Sequence, residues 1–409
     1  MSRQGPVLFV SDRRDADRSQ DLVDVLSFPV VHAEWHRATE AIRSQQPAVV
    51  IAVGGDVAAL STLSADIAVR TPLVPLIVLN PHVPLPHTAL PFSFNARTAG
   101  NLAGRITAAL RIRSLHATVL RRTKDSAAST VGLPDTDPLN DATVLLIGRG
   151  KSYPAFSVAL GLEMAVVGAL SIEAAAKHLS NRDIDGIVIG EGFSSRVVNA
   201  FLMVLSEDSR FRNLPIMVAG AAEITSHDLP FLEVMSGDPY KIVADSIPLI
   251  RLHAFEAALH RTLKSIDAGG LTDPRTGLLT RSAFDRDLPA AIRDALVHGT
   301  QLSIARFKFA TGHERARLDG SRILTRLMRR MDFATLYDDN SILVVFADAD
   351  LRTAQTISRR LASVMKHTIL GVRPQQRIDA KVSLASIVPG DNAATLLARL
   401  EQDLYRAVS

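Results

Sequence analysis

Short runs of consecutive apolar residues alternate with longer stretches of mixed polarity through the first half of the chain. Val7-Leu-Phe-Val-Ser-Asp12, Val30-Val-His-Ala33, Ala48-Val-Val-Ile-Ala-Val53 and Pro75-Leu-Ile-Val-Leu-Asn80 each read as a strand. Helical stretches fall around Gln20–Leu26 and Ala38–Gln45. Strands that are apolar throughout, separated by helices, predict a parallel sheet buried on both faces. Residues 5 to about 118 therefore read as one doubly wound α/β unit.

The same alternation returns roughly 135 residues later. Its strands are Thr143-Val-Leu-Leu-Ile-Gly148, Met164-Ala-Val-Val167, Gly186-Ile-Val-Ile-Gly190 and Pro215-Ile-Met-Val-Ala219, with a helix over Ser171–Leu179. A long helix from Pro239 to Ser265 closes this second unit. The polar, Pro- and Gly-bearing stretch Arg121–Asp141 reads as the linker between the two. Further on the pattern changes. A basic helix end at Arg329-Arg330-Met331-Asp332 leads into a strand, a sharp polar turn at Asp338-Asp339-Asn340, and the apolar strand Ser341–Phe346. The predicted division is 1–120, linker 121–141, 142–266 and 267–409.

Composition narrows the function classes. A chain of 409 residues with 47% hydrophobic content is long enough for two or three domains, each with its own core. A net charge of +4, 5% aromatics and no long Lys/Arg run argue against nucleic acid as a partner. There is no cysteine, hence no disulfide framework and no thiolate metal site. Neither a signal-peptide pattern nor a membrane-length apolar run is present, so the expected location is cytoplasmic and no membrane partner is expected.

Both N-terminal units resemble response-regulator receiver domains in the spacing of their strands. Receiver chemistry needs an acidic pair after the first strand for Mg²⁺ and an Asp nucleophile after the third. It also needs a Lys near the fifth strand. Matched on that resemblance, the first unit has Ser11-Asp12 at the acid pair, Val53 at the nucleophile and Leu90 at the Lys position. The second has Gly148-Arg149, Gly190 and Asp238. Valine and glycine cannot accept a phosphoryl group. Asp56 in the first unit or Glu191 in the second would be the shifted acceptor if one existed, but the reading is of two pseudo-receivers without a phosphoacceptor.

The C-terminal part resembles the GGDEF family of diguanylate cyclase domains. Leu271-Thr-Asp-Pro-Arg-Thr-Gly-Leu-Leu-Thr-Arg-Ser-Ala-Phe284 keeps Asp273, Thr276, Gly277, Leu278, Arg281 and Phe284 of the family's opening pattern. Val382–Ile387 and Leu396–Ala407 match its last strand and helix. The resemblance implies an α+β, nucleotidyl-cyclase-like fold. Together the chain resembles the receiver–receiver–GGDEF layout of the PleD type and its degenerate PopA-like relatives. The family's catalytic pentad here reads Asp338, Asp339, Asn340, Ser341, Ile342: two aspartates replace the glycines that admit the triphosphate, and Asn340 and Ser341 replace the acids that hold the metal. The first strand, Leu302–Phe309, carries no carboxylate. The guanine-reading position falls near Thr311 or Gly312, and the phosphate lysine on Val408. The implied domain is catalytically inactive, with no metal site and no required cofactor. Asp338 and Asp339 read as turn residues rather than as a new metal site.

Arg329 and Asp332 stand six residues before the pentad, the spacing of the family's inhibitory Arg-x-x-Asp. Such a pair suits cyclic di-GMP: an Arg fork grips the O6/N7 edge of guanine and a carboxylate accepts from N1/N2. Arg359 or Arg360 would complete the site. The same spacing at Arg14/Asp17 and Arg182/Asp185 is assigned no meaning. The bland alternative is a solvated helix end with a local ion pair worth under about 1 kcal/mol. The leading expectation is a non-catalytic cyclic di-GMP effector, homodimeric through its receiver-like units, with unidentified protein partners. A nucleotide-independent scaffold and a diguanylate cyclase with an atypical site are the alternatives.

Overall fold

The computed structural model describes residues 5–12, 29–95, 98–125, 136–220, 223–225, 227–310, 314–366 and 380–406. The helical stretch read around Gln20–Leu26, Thr311, Gly312 and Val408 lie outside them. Three sheets are stacked along the chain. The first contains β1 (Val7–Ser11), β2 (Val30–Glu34), β3 (Val49–Val53), β4 (Leu76–Leu79) and β5 (Ala89–Phe92), with α1 (Ala38–Gln45), α2 (Val57–Ala68) and α3 (Ala99–Asp125). Its order is β2-β1-β3-β4-β5 and every pairing is parallel. This is the flavodoxin-like order of a doubly wound sheet. The strands β1, β3, β4 and β5 are buried along their whole length, as continuous apolar runs demand.

The second sheet repeats the arrangement. It is formed by β6 (Thr143–Ile147), β7 (Ala165–Ala169), β8 (Gly186–Ile189), β9 (Ile216–Ala219) and β10 (Leu232–Met235), again all parallel, in the order β7-β6-β8-β9-β10. Its helices are α4 (Tyr153–Glu163), α5 (Ile172–Asn181), α6 (Ser195–Glu207) and the 29-residue α7 (Pro239–Asp267). The stretch 121–141 is helical at its start, where α3 runs on to Asp125, and ends in a short 3-10 turn over Pro138–Asp141.

The two sheets share one apolar core. Phe9, Ile51, Phe92, Ile106, Val144, Phe156, Phe231, Ile250 and Leu259 belong to a single cluster that passes from the first unit through α3 and α7 into the second. Arg105 of α3 lies inside this junction, fully buried, between the rings of Phe92 and Phe231.

The C-terminal domain is α+β. Helix α8 (Arg281–His298) is followed by β11 (Leu302–Lys308), α9 (Glu314–Leu327), β12 (Phe333–Asp338), β13 (Ser341–Ala347), α10 (Leu351–Lys366), β14 (Lys381–Ser386) and α11 (Ala393–Arg406). The sheet order is β12-β13-β11-β14, antiparallel throughout. One face packs Phe307, Phe346 and Val344 against α9 and α10; the other packs Ile304, Leu343 and Val345 against α8 and α11. Among the described residues no helix is long and apolar enough to cross a membrane.

Candidate functional site at the α9–β12 turn and the β12–β13 hairpin

Helix α9 ends at Leu327, and the chain turns through Arg329–Asp332 into β12. The Asp332 carboxylate makes that turn. Its Oδ2 accepts from the Arg329 N–H at 3.3 Å and its Oδ1 accepts from the Ala347 N–H at 3.2 Å, which ties the turn to the end of β13. Asp332 is only 8% exposed. Burial pushes its carboxyl above the ordinary value, against the pull of those two N–H groups and the Arg329 charge. Arg329 itself is exposed, and its guanidinium forms no hydrogen bond or ion pair among the described residues. Arg359 and Arg360 stand exposed on α10, opposite the face that buries Ala354, Ser358, Leu361 and Met365. Neither is joined to Arg329 or Asp332 by a hydrogen bond or ion pair.

The hairpin turn six residues later is closed by its own side chains. Asp338 Oδ1 accepts from the Asn340 N–H and the Ser341 hydroxyl, both at 2.8 Å. Arg306 of β11 donates through Nη2 to Asp338 Oδ2 at 2.5 Å and through Nε to Ser341 Oγ at 3.0 Å. Arg317 of α9 donates to the Asp338 carbonyl at 3.0 Å. Burial pushes the Asp338 carboxyl up, but those donors and the Arg306 charge together bring it below its ordinary value. The Asp338 charge is balanced from within the domain by Arg306, itself 9% exposed and stacked on Tyr337 at 5.1 Å. The signal for Arg306 was a lone guanidinium in the middle of an apolar strand. Asp339 stays exposed at the tip, and Ile342 is core. Among the described residues no three metal-ligating side chains converge.

The opening motif of this domain has a structural job at each matched residue. Asp273 Oδ1 accepts from the Arg275 N–H, the Thr276 N–H and the Thr276 hydroxyl at 3.0, 2.7 and 2.8 Å. Gly277 has φ +77° and lies against Thr325, so only glycine fits without strain. Leu278 is buried, Phe284 stacks on Phe333 at 5.5 Å, and Arg281 lies over Tyr337 at 4.4 Å.

The receiver-type positions are likewise structural. Val53 ends β3, and its carbonyl accepts from Trp35 Nε1 at 3.1 Å. Asp56 caps α2, accepting from the Ala59 N–H at 2.8 Å. Gly190 donates to the Ile147 carbonyl. The Glu191 carbonyl holds the Arg149 and Gly150 N–H groups, while Arg149 covers the Phe193 ring at 4.9 Å. Leu90 is buried in β5, and Asp238 caps α7.

No protein-family model and no curated protein matches the chain. Among solved structures, it is similar to the GGDEF domain of DgcB from Caulobacter crescentus in complex with c-di-GMP. Identity is 21%, covering 34% of this chain and 89% of that one, with a TM-score of 0.30. A sensory box/GGDEF family protein from the same organism gives 23% identity, 34% and 97% coverage, and a TM-score of 0.29. The GGDEF domain of FimX from Pseudomonas aeruginosa gives 17% identity, 32% and 90% coverage, and 0.28.

Proposed function

We propose that this chain is a non-catalytic signalling protein whose C-terminal domain binds cyclic di-GMP at Arg329 and Asp332, with Arg359 or Arg360 closing the site. The observation that carries the reading is the α9–β12 turn: a carboxylate fixed by two backbone N–H groups, beside an exposed guanidinium with no partner among the described residues. Each Asp332 oxygen keeps a lone pair for a guanine N1–H or N2–H, and Arg329 is free to fork onto O6/N7. The hairpin is the reason for calling the domain non-catalytic. The Asp338 carboxylate is committed to Arg306, Ser341 and Asn340. The two N-terminal units are read as pseudo-receivers serving dimerisation and protein docking.

Titration calorimetry with cyclic di-GMP at roughly 50 µM tests this. Heat that disappears in Arg329→Ala supports it; no heat with the unaltered protein overturns it. Turnover of GTP with Mg²⁺ or Mn²⁺ would instead establish a cyclase with an atypical site.

A second reading, a nucleotide-independent scaffold, is favoured by one observation. The Asp332 carboxylate already serves as the clasp of its own turn. On that reading melting curves with and without nucleotide coincide, whereas ligand at about 100-fold its dissociation constant adds about 2.7 kcal/mol to a binding-competent fold.

A further inference from the structure

The second and third domains are joined in a different way from the first and second. The apolar core runs unbroken through the first two, while the clusters of the third stop at its own boundary. Most of the polar contacts that hold the third domain come from one stripe of α9, Arg315, Asp319, Arg322 and Arg326, whose spacing puts all four on one helix face; Arg261 of α7 adds a bond to the Pro274 carbonyl.

Each arginine of the stripe reaches backbone of the second domain. Arg315 donates to the carbonyls of Asn140 and Ala142 at 2.5 and 2.7 Å. Arg322 donates to the Asp141 carbonyl at 2.7 Å. Arg326 donates to the carbonyls of Arg182 and Leu179 at 2.6 and 3.2 Å and to Asp183 Oδ1 at 3.1 Å. Arg275 adds a two-pronged pair with the Asp141 carboxylate, both bonds at 3.0 Å. In the reverse direction, Arg182 donates to the Val364 carbonyl of α10 at 2.5 Å. At the centre, Asp319 Oδ2, Arg182 Nε and Arg322 Nη2 are buried without a hydrogen-bond partner among the described residues, and their side chains line a cavity of about 20 Å³. That is room for one water, with two donors and one acceptor around it.

We infer that the α9 stripe is an electrostatic latch: it closes the third domain onto the second through guanidinium bonds around a one-water site, and it opens while the first two domains stay joined. The physical reason is the kind of surface involved. An interface of guanidinium-to-carbonyl bonds can exchange its partners for water when it opens. Domains without a large apolar interface move relative to one another by default. A shared apolar core has no such exchange available.

The chain has no cysteine, so spin labels go only where cysteines are introduced. One pair at the exposed Glu207 and Gln355 spans the latch; a second at Ser61 and Glu207 spans the shared core. In the full chain, Arg326→Glu and Arg322→Glu should each broaden the Glu207–Gln355 distance and shift it outward, leaving Ser61–Glu207 unchanged. Arg326 is 28% exposed, so its reversal leaves the domain cores intact. Adding Asp183→Arg to Arg326→Glu should bring the short distance back in part. The inference fails if the Glu207–Gln355 distance is unmoved in both reversals, or if both pairs broaden together.

Discussion

Replacing Arg105 with methionine tests how far the junction of the first two domains rests on one cation. Arg105 is fully buried and donates to the Pro91 carbonyl at 2.8 Å, to Glu233 Oε1 at 2.8 Å, and to the Pro230 carbonyl. Methionine keeps most of the aliphatic stem and removes every donor. Glu233, 3% exposed, is then left with the Ser93 N–H at 3.4 Å. Breaking a buried pair on one side costs about 3–5 kcal/mol, because the remaining charge stays desolvated. The two carbonyls that lose a donor add about 1 kcal/mol each at the low end. The single substitution should therefore cost about 5 kcal/mol or more. Arg105→Met with Glu233→Met removes the stranded charge and keeps only the carbonyl deficit, about 2 kcal/mol. The double variant should thus be the more stable by about 3 kcal/mol. Urea unfolding followed by Trp35, the chain's single tryptophan, reads this in the first domain. A single-variant cost under about 1 kcal/mol, or a double variant no more stable than the single, would refute the reasoning.

Further outcomes follow from other groups. Burial pushes Asp141 and Asp185 up, but the hydrogen bonds of Arg275 and the charges of Arg275 and Arg322 on Asp141, and the His253 ring at 3.4 Å with the Thr143 N–H on Asp185, leave both below the ordinary value. Their stabilisation is complete above the unfolded carboxylate value of about 4 and is lost as pH falls through the depressed folded values. Asp141→Asn should therefore flatten the acid limb of the melting temperature against pH. Asp332 has the opposite sign: its raised carboxyl protonates at higher pH than an ordinary carboxylate, so on the proposed reading cyclic di-GMP affinity by calorimetry should fall as pH drops through that raised value, and an Asp332→Asn variant that keeps the same fall would exclude Asp332 from the contact. A Cβ at Gly190 meets only ordinary contacts with Ile147 and Phe156 at 3.6 and 3.9 Å, so the backbone admits Gly190→Asp, and a folded variant, checked by its melting curve, can be assayed. Mass spectrometry after acetyl phosphate and Mg²⁺ should nonetheless show no phosphoaspartate, because Gly148 and Arg149 offer no acid pair. Gly277→Ala should cost more than about 1 kcal/mol in thermal unfolding, since Thr325 leaves no room and φ is positive.

The parallel sheets were legible because a strand buried on both faces has no polar residues to break its run. The strands β5 and β10 were not read, since Ala89-Leu-Pro-Phe92 carries a proline and Leu232-Glu-Val-Met235 a glutamate that would be out of place in a solvent-free strand. Glu233 is tolerated because Arg105, over a hundred residues away, meets it. Arg182 and Asp185 carried no meaning by spacing. Both are buried at the joint between the second and third domains, Arg182 on the Val364 carbonyl and Asp185 on the Thr143 N–H. Arg329 and Asp332 could be singled out from spacing, but the anchoring of Asp332 to Ala347 depends on how β12 and β13 pair. Pairings across long stretches of chain leave little trace in local pattern.

Arg306 has a consequence for how this domain could change over time. A covalently attached counter-ion cannot be chelated, diluted or exchanged, so the hairpin's charge balance is independent of the divalent ions around it. Placing glycines and acids in the turn would not undo that arrangement while Arg306 remains. Removing Asp338 first would leave Arg306 with the long 3.8 Å approach of Glu401 as its carboxylate neighbour among the described residues. Any route to a metal-binding turn would begin on β11, one strand away from the turn itself.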